Sequence, residues 1–366
     1  MRKWLIFFGV LLLIVGLGGM WWKEGDSILN PLSGIKNNKS EKKEVKIFGF
    51  LPTWMVGKTR IYTNEITHLV FLGIESDEEG NLIWDTQSKK INSETFLDQK
   101  QKISENGGKN ILGIKLFDDE KLKILLTNEE SGNNLVKQIK EVVKEDGFDG
   151  VNIDFEFQND PLAILEEDFG QFLNKLNLAE VGEISVDVFA NTVIKGDADK
   201  LKVFLEKIDN LEVMAYDFHR PGVDFAGSVA PISSNAGERS ISEVVEKIIS
   251  ANLDKSKIIM AYPLYGYEWK TYTKDFGSQI KRGWYQMSSW NRTKELIKEK
   301  GLESNWDELS MTPWLVFEEN GQIHQIYFEN ERSLKAKLDL VEQNQLGGYG
   351  FWALGYEGDD TSIWSY

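Results

Sequence analysis

The sequence predicts a (β/α)8 barrel of the TIM type, an α/β fold, from two observations. Apolar runs that are rich in β-branched and aromatic residues, and bounded by turn residues, occur eight times in the 366-residue chain. Helical patterns lie between most of these runs, and an alternation of strands and helices over ~300 residues is within the usual size range of such barrels. The predicted strands cover residues 47–54, 68–74, 110–117, 148–157, 183–190, 211–218, 257–267 and 347–354.

The predicted helices precede the fourth, sixth, seventh and eighth strands, and one follows the fourth. Apolar residues recur in them at spacings of three and four. The gap before the eighth strand is longer than the others. Residues 270–330 are rich in Trp and Tyr, and residues 314–328 show a strand–turn–strand pattern, which predicts a small inserted α+β lobe. The helical patterns cover residues 133–145, 161–178, 200–208, 241–250 and 333–344.

The N-terminal segment has the pattern of a membrane anchor. Residues 4–22 are uncharged and mostly apolar, and about 20 such residues are enough to cross a bilayer. The basic Arg2 and Lys3 predict a cytoplasmic N-terminus. No clear A-x-A-like cleavage site is present, which favours an uncleaved anchor (1–22) over a cleaved signal peptide. The polar, Lys-rich residues 23–44 predict a flexible linker. Residues 45–366 are predicted to form an extracytoplasmic domain that is anchored in the membrane or, alternatively, secreted.

Composition restricts the partners and cofactors. The net charge of −16 argues against nucleic acid and against binding to an anionic membrane surface, so a neutral partner fits better. The absence of cysteine excludes disulfides and thiolate metal sites. His68, His219 and His324 have no metal-ligand spacing, so we expect no metal and no cofactor. The acidic run 118–120 is interpreted as a solvated loop.

The fourth predicted strand carries polar residues on one face. In the stretch FDGVNIDFEF, residues 148–157, Asn152, Asp154 and Glu156 point into the barrel, while the apolar residues between them point to the outer helices. Burying two unpartnered carboxylates costs several kcal/mol each, which favours a functional site over an ion-paired network that only holds the barrel. Glu156 is at the strand end, where barrel enzymes place reactive groups. Asp154, about 6.6 Å away at Cα, favours a protonated Glu156, as a general acid requires.

Four stretches of the chain resemble a known family. Residues 149–156 resemble the DGxDxDxE signature of glycoside hydrolase family 18, the chitinase-like barrels. Residues 214–219, MAYDFH, resemble the M-x-Y-D motif of the sixth strand, and residues 348–355 resemble the eighth strand, whose Trp forms the substrate floor. PLYGYEW at 263–269 is similar to the bacterial branch that includes spore-cortex and peptidoglycan-lytic N-acetylglucosaminidases.

The resemblance implies a mechanism and roles for individual residues. Glu156 matches the general acid and base. Asp154 matches the carboxylate that orients the 2-acetamido group of the substrate, which serves as the nucleophile of a retaining hydrolysis. Tyr216 matches the hydroxyl that hydrogen-bonds the acetamido oxygen. Trp54 and Tyr265 either stack on sugars or pack in loops. The substrate-binding candidates are Asn152, Met214, Asp217, Trp352, Trp54 and Tyr265.

One position departs from the signature. Asn152 stands where the family most often has an acid, although the peptidoglycan-lytic branch often shows the same substitution. Asn152 can hydrogen-bond Asp154 but cannot share a proton with it in the same way. We therefore expect Asp154 to ionise more readily than in a stack of acids.

Two functions remain open from the sequence. The first is hydrolysis of a β-linked glycan that contains N-acetylglucosamine, with peptidoglycan favoured by the branch and the predicted anchor, and with chitin or an N-glycan core as other sources. The second is a catalytically silent, lectin-like barrel at the cell surface. Glu156, Asp154 and Tyr216 are all present, which favours the enzyme.

Overall fold

The structure, a computed structural model, describes residues 45–364. The predicted anchor (1–22) and linker (23–44) lie outside these residues, and both stay predictions. Within residues 45–364, no helix combines the length and the apolar character needed to span a bilayer.

The described part of the chain contains fourteen strands and nine helices, numbered in chain order. The strands are β1 (Lys46–Pro52), β2 (His68–Ser76), β3 (Leu82–Ile83), β4 (Lys109–Leu116), β5 (Gly150–Phe155), β6 (Glu183–Phe189), β7 (Asn210–Met214), β8 (Ile258–Pro263), β9 (Tyr265–Thr271), β10 (Ile280–Ser289), β11 (Asn305–Asp307), β12 (Thr312–Glu319), β13 (Gln322–Tyr327) and β14 (Gly348–Trp352). The helices are α1 (Glu94–Glu105), α2 (Asp119–Thr127), α3 (Glu129–Glu145), α4 (Glu167–Ala179), α5 (Ala190–Lys195), α6 (Ala198–Leu205), α7 (Ile241–Ser250), α8 (Trp290–Lys300) and α9 (Glu331–Asn344).

Eight parallel strands close into a barrel, which confirms the predicted fold class. Their order is β1-β14-β8-β7-β6-β5-β4-β2, and β1 also pairs with β2 to close the ring. The seventh predicted strand, 257–267, is divided. Its first part is the barrel strand β8, which ends at Pro263, a residue without an N–H to donate. Its second part is β9, which leaves the barrel and pairs with other strands.

The alternation predicted for residues 148–157 is present in β5. Val151, Ile153 and Phe155 are buried against the outer helices. Phe155 stacks on Phe172 of α4 with ring centroids 5.7 Å apart. Since these apolar side chains face outward, the polar residues between them face the barrel interior.

The interior of the barrel is divided into an apolar half and a polar half. Side chains of β1, β2, β4 and β8 form the apolar half, and those of β5, β6 and β7 form the polar half. The apolar half contains Phe48, Phe50, Val70, Leu72, Ile111, Ile259 and Ala261. The polar half contains Asn152, Asp154, Ser185, Asp187, Asn210 and Glu212.

The chain segment between the barrel strands β8 and β14 forms a second sheet. It is antiparallel, with the order β10-β9-β13-β12-β11, and it begins at Tyr265, five residues before the predicted insertion. The predicted strand–turn–strand at 314–328 is the hairpin of β12 and β13. Its two-residue turn, Asn320 and Gly321, has positive φ at both positions, as a type I′ turn requires. Helix α8 packs on this sheet through Leu296 and Ile297.

Candidate active site

A cavity of about 620 Å³ opens at the C-terminal ends of the barrel strands. Parallel strands of a barrel present their carboxyl ends at one face, so residues that are distant in sequence meet there. Asn152 is the one predicted site residue that does not line the cavity; it lies beneath, fully buried. The predicted residues that line it are Trp54, Asp154, Glu156, Met214, Tyr216, Asp217, Tyr265 and Trp352.

Glu156 follows the last residue of β5 and lies in the cavity wall. Its backbone N–H donates to Leu116 O at 3.0 Å, and the side-chain amide of Gln158 donates to its carboxylate. Burial raises the pKa of Glu156 to about 7, the hydrogen bond from Gln158 acts against this rise, and the Asp217 carboxylate adds to it. About half of the Glu156 side chains therefore carry a proton at neutral pH, as a general acid requires.

Asp154 lies one layer deeper in the barrel, with 4% of its surface exposed. Burial raises its pKa well above the usual value, and the nearby Asp187 and Glu156 carboxylates raise it further. Lys115 acts in the opposite direction. Asp154 is therefore held in its protonated form unless a partner stabilises the charge.

Tyr216 and Asp217 follow β7 and complete the polar wall. Burial raises the pKa of Tyr216 well above its usual value, so its hydroxyl stays a hydrogen-bond donor. Asp217 has a left-handed backbone with φ of 58°. Its carboxylate accepts hydrogen bonds from Tyr265 Oη at 2.6 Å and Tyr267 Oη at 3.2 Å. Tyr265, 4% exposed, therefore anchors Asp217 and does not offer an open ring face for stacking on a sugar.

Aromatic rings form the apolar wall. Trp352, the last residue of β14, makes an edge contact with Trp54 at a centroid distance of 6.2 Å and with Phe50 at 6.1 Å. Trp54 lies in a short 3-10 turn, Thr53–Met55, because β1 ends at Pro52 and not at the predicted residue 54. Trp54 is 40% exposed at the cavity mouth, so its ring is accessible to a ligand.

Comparison with known proteins identifies the family. The family model described as Glycosyl hydrolases family 18 matches residues 38–357. The chain belongs to this family. It is therefore a glycosidase of the chitinase-like type.

Family-18 relatives of the chain include a bacterial glycosylase, a cortical fragment-lytic enzyme and a chitinase of known structure. The chain is 27% identical to an uncharacterized glycosylase, YvbX, of Bacillus subtilis (strain 168), over 88% of this chain and 92% of the relative. It is 23% identical to the cortical fragment-lytic enzyme of Bacillus anthracis, over 82% of this chain and 67% of the relative. The crystal structure of a Cycas revoluta family-18 chitinase in complex with allosamidin superposes with a TM-score of 0.75 at 19% identity, covering 87% and 98% of the two chains.

The family-18 signature position Asn152 has an unexpected partner. Its side-chain Nδ2 donates to Ser185 Oγ and to Asp187 Oδ1, both at 3.1 Å, and not to Asp154 Oδ1. The neutral Asn152 takes the place of the acid that the family signature most often has beneath Asp154. Asp187, on the neighbouring strand β6, supplies a carboxyl group beside Asp154 instead. The expected easier ionisation of Asp154 therefore does not follow. Asp187 was missed, although the polar alternation of β6 resembles that of β5.

The acidic run 118–120 supports the loop after β5. Asp118 caps α2 by accepting the backbone N–H groups of Glu120 and Lys121. The Asp119 carboxylate accepts the backbone N–H groups of Gln158 at 2.7 Å and Asn159 at 3.0 Å. Asp118 and Glu120 are exposed, as predicted for a solvated run. The run is not only a loop, because α2 begins at Asp119 and the bonds of Asp119 fix the segment that carries Gln158 beside Glu156.

Three cationic side chains also line the family-18 cavity, and the sequence did not single them out. They are Lys115, Arg220 and Arg239. Arg220 is exposed and, with Lys115, lowers the pKa of Glu156. Across residues 45–364, no group of three or more His, Asp or Glu side chains is arranged to hold a metal ion.

Proposed function

We propose that the protein catalyses retaining, substrate-assisted hydrolysis of a β-linked glycan that contains N-acetylglucosamine, with peptidoglycan as its substrate. The observation that carries the proposal is the position of Glu156, whose pKa is about 7, in the same cavity as buried Asp154 and the Tyr216 hydroxyl. A proton donor, an acetamido acceptor and a hydroxyl donor are the three groups that this chemistry needs.

The proposed reaction has two steps. Protonated Glu156 donates to the glycosidic oxygen while the acetamido oxygen of the substrate attacks the anomeric carbon. Asp154 accepts the acetamido N–H, and Tyr216 donates to the oxygen that closes the ring. Glu156, now a carboxylate, then removes a proton from the water that opens the cyclic intermediate. The apolar floor at Trp352 would bind the flat face of the reacting sugar.

Charge at the cavity supports peptidoglycan over chitin. The cavity is lined by carboxylates as well as by the cations Lys115, Arg220 and Arg239. Lys115 pairs with Glu75 at 3.8 Å and Arg239 with Glu243 at 3.2 Å. Exposed Arg220 has no ion pair among residues 45–364 and could bind an anionic group of a substrate. Peptidoglycan carries carboxylates on its stem peptides, whereas chitin is neutral. The similarity to a cortical fragment-lytic enzyme supports the same choice.

The test compares substrates and products. The full chain, purified in mild detergent because residues 4–22 are apolar, is incubated with purified peptidoglycan and with chitin oligosaccharides, and new reducing ends are identified by mass spectrometry. We expect N-acetylglucosamine reducing ends from peptidoglycan, first formed as the β anomer in ¹H NMR. Cleavage of chitin oligosaccharides alone would overturn the substrate assignment, and first formation of the α anomer would overturn the mechanism.

A matched variant separates hydrolysis from binding. Glu156→Gln keeps the shape of the side chain and removes its proton-transfer role, so we expect a loss of about 10²–10⁴-fold in kcat. Glycan binding that is equal in both proteins, with no hydrolysis by either, would support the lectin-like alternative instead.

A further inference from the structure

The polar half of the barrel interior contains buried acids that the proposed reaction does not use. Asp187 of β6 is 4% exposed, and Glu212 of β7 is fully buried. The two residues are partners in the register of β6 and β7. Asp187 also lines the cavity, so it reaches from the barrel interior to the floor of the active site.

Hydrogen bonding directs Asp187 toward the signature strand β5. Asn152 Nδ2 binds Asp187 Oδ1 at 3.1 Å, which holds the Asp187 carboxyl beside β5. Asp154 Oδ1 is buried and has no hydrogen-bond partner among residues 45–364. Asp154 therefore has an unused oxygen in the interior where Asp187 lies, and no acid at position 152 to use it.

We propose that Asp187 is the positioning residue for Asp154, and that the two buried carboxyls share one proton in place of the acid that position 152 lacks. The catalytic consequence rests on the proposed function. When an acetamido N–H enters, the proton on Asp154 moves to the Asp187 carboxylate. Asp154 becomes the carboxylate that accepts the N–H, and the pair keeps a total charge of −1.

The surrounding charges are consistent with one proton in this pair. Burial raises the pKa of Asp187 well above its usual value, Glu212 and Glu156 add to the rise, and the Asn152 amide lowers it. Burial raises the pKa of Tyr216 too, with Asp187 as the largest charge acting on it.

The deeper neighbour Glu212 is a further buried acid of the polar half. Burial raises the pKa of Glu212 to about 8, the Ser185 hydroxyl lowers it, Glu183 and Asp154 raise it, and Lys46 lowers it. Glu212 is therefore mostly neutral at pH 7. The negative charge of the interior is left to Asp154 and Asp187, with Lys115 the cation that acts on Asp154.

The kinetic test moves the carboxyl group from position 187 to position 152. Asp187→Asn keeps an oxygen that can accept the Asn152 amide and removes the proton-sharing carboxyl. We expect kcat to fall about 10- to 100-fold with KM within about twofold, because the acetamido group is bound but poorly oriented. The double variant Asn152→Asp/Asp187→Asn returns an acid beneath Asp154, and we expect it to recover most of kcat. Failure of this folded double variant to recover would overturn the proposal.

Ser185→Ala is the matched control. Ser185 is the other acceptor of the Asn152 amide, at 3.1 Å, and lies two residues before Asp187 on the same face of β6. We expect Ser185→Ala to retain kcat and the pH profile. A loss equal to that of Asp187→Asn would overturn the proposal, since it would show that both variants act only by displacing Asn152.

A titration without substrate separates this inference from the proposed function. Protein labelled with ¹³C at the Asp carboxyls is titrated by NMR, and Asp154 is assigned with Asp154→Asn. In the unmodified protein we expect Asp154 and Asp187 to titrate as a coupled pair in two separated steps. In Asp187→Asn the Asp154 titration should move to lower pH, because a like charge is removed. Independent titration of both groups near their usual pKa would overturn the proposal even in an active enzyme, whereas a coupled pair in a protein that cleaves no glycan would refute only the proposed function.

Discussion

Gln158 tunes the acidity of Glu156, the proposed general acid, and its removal has a calculable effect. The Gln158 amide donates to the Glu156 carboxylate and so stabilises the charged form of Glu156. The backbone N–H of Gln158 is bound separately by Asp119, so Gln158→Ala removes the amide and leaves the loop in place. The pKa of Glu156 should therefore rise in this variant, and the alkaline limb of kcat/KM should move to higher pH.

The size of the shift follows from the hydrogen bond. Because Gln158 is exposed, we take the free energy of its hydrogen bond to Glu156 as about 1.5 kcal/mol, the lower end for a hydrogen bond to a charged group. At about 1.36 kcal/mol per pKa unit, loss of this hydrogen bond raises the pKa of Glu156 by about one unit, from about 7, and the alkaline limb of the pH profile moves with it. At pH 9 the protonated fraction of Glu156 then rises from about 1% to about 9%, while at pH 6 it changes only from about 91% to about 99%.

The assay is the pH dependence of kcat/KM from pH 5 to 9.5, each profile normalised to its own maximum. We expect the variant to exceed the unmodified protein about ninefold at pH 9 and to match it at pH 6. Asn159→Ala is the control, since Asn159 is exposed, does not line the cavity and keeps its backbone bond to Asp119. An unmoved limb, or one displaced to lower pH, would refute the assignment of the limb to Glu156.

Three further predictions concern residues around the same cavity. Tyr265→Phe removes a 2.6 Å hydrogen bond to Asp217 and should lower kcat/KM about tenfold. Tyr267→Phe removes a 3.2 Å hydrogen bond and should lower kcat/KM less. A larger loss in Tyr267→Phe would contradict the anchoring role of Tyr265. Arg220→Gln should raise KM several-fold for peptidoglycan fragments and leave KM for chitin oligosaccharides unchanged, and equal changes on both substrates would count against a role in binding carboxylates. Burial raises the pKa of Glu212 from 4.5 to about 8, so between these pH values the folded chain binds more protons than the unfolded chain, and its stability falls as the pH rises. Glu212→Gln should reduce this fall, measured as the urea midpoint of unfolding from pH 5 to 8. An unchanged dependence of the midpoint on pH would exclude Glu212 as its source.

Local patterns in the sequence were sufficient for the barrel and for most of the cavity lining. Apolar runs and helical spacing predicted eight strands, and alternation within residues 148–157 predicted which side chains of β5 face inward. Motifs at the ends of three strands predicted residues that do meet in one cavity, because all parallel strands end at the same face. The roles of these residues in catalysis stay predictions.

Local patterns failed where a residue depends on a distant segment. From the sequence, Tyr265 could stack on a sugar or pack. Only the fold shows that its hydroxyl, like that of Tyr267, binds Asp217, about fifty positions earlier in the chain. Asp119 looked like a solvated residue because its partners, Gln158 and Asn159, belong to the loop that follows another strand.

The sequence by itself determined that β5 has an acidic inner face, because alternation is a property of one strand and is visible in consecutive residues. Only the tertiary structure decided which groups lie beside that face. The closure of the barrel sets the lateral register of β5, β6 and β7, and this register places Asn152 beside Ser185 and Asp187 beside Glu212. A carboxyl lost at position 152 is thereby replaced by one at position 187, since the acids of a barrel interior interact across strands as well as along them.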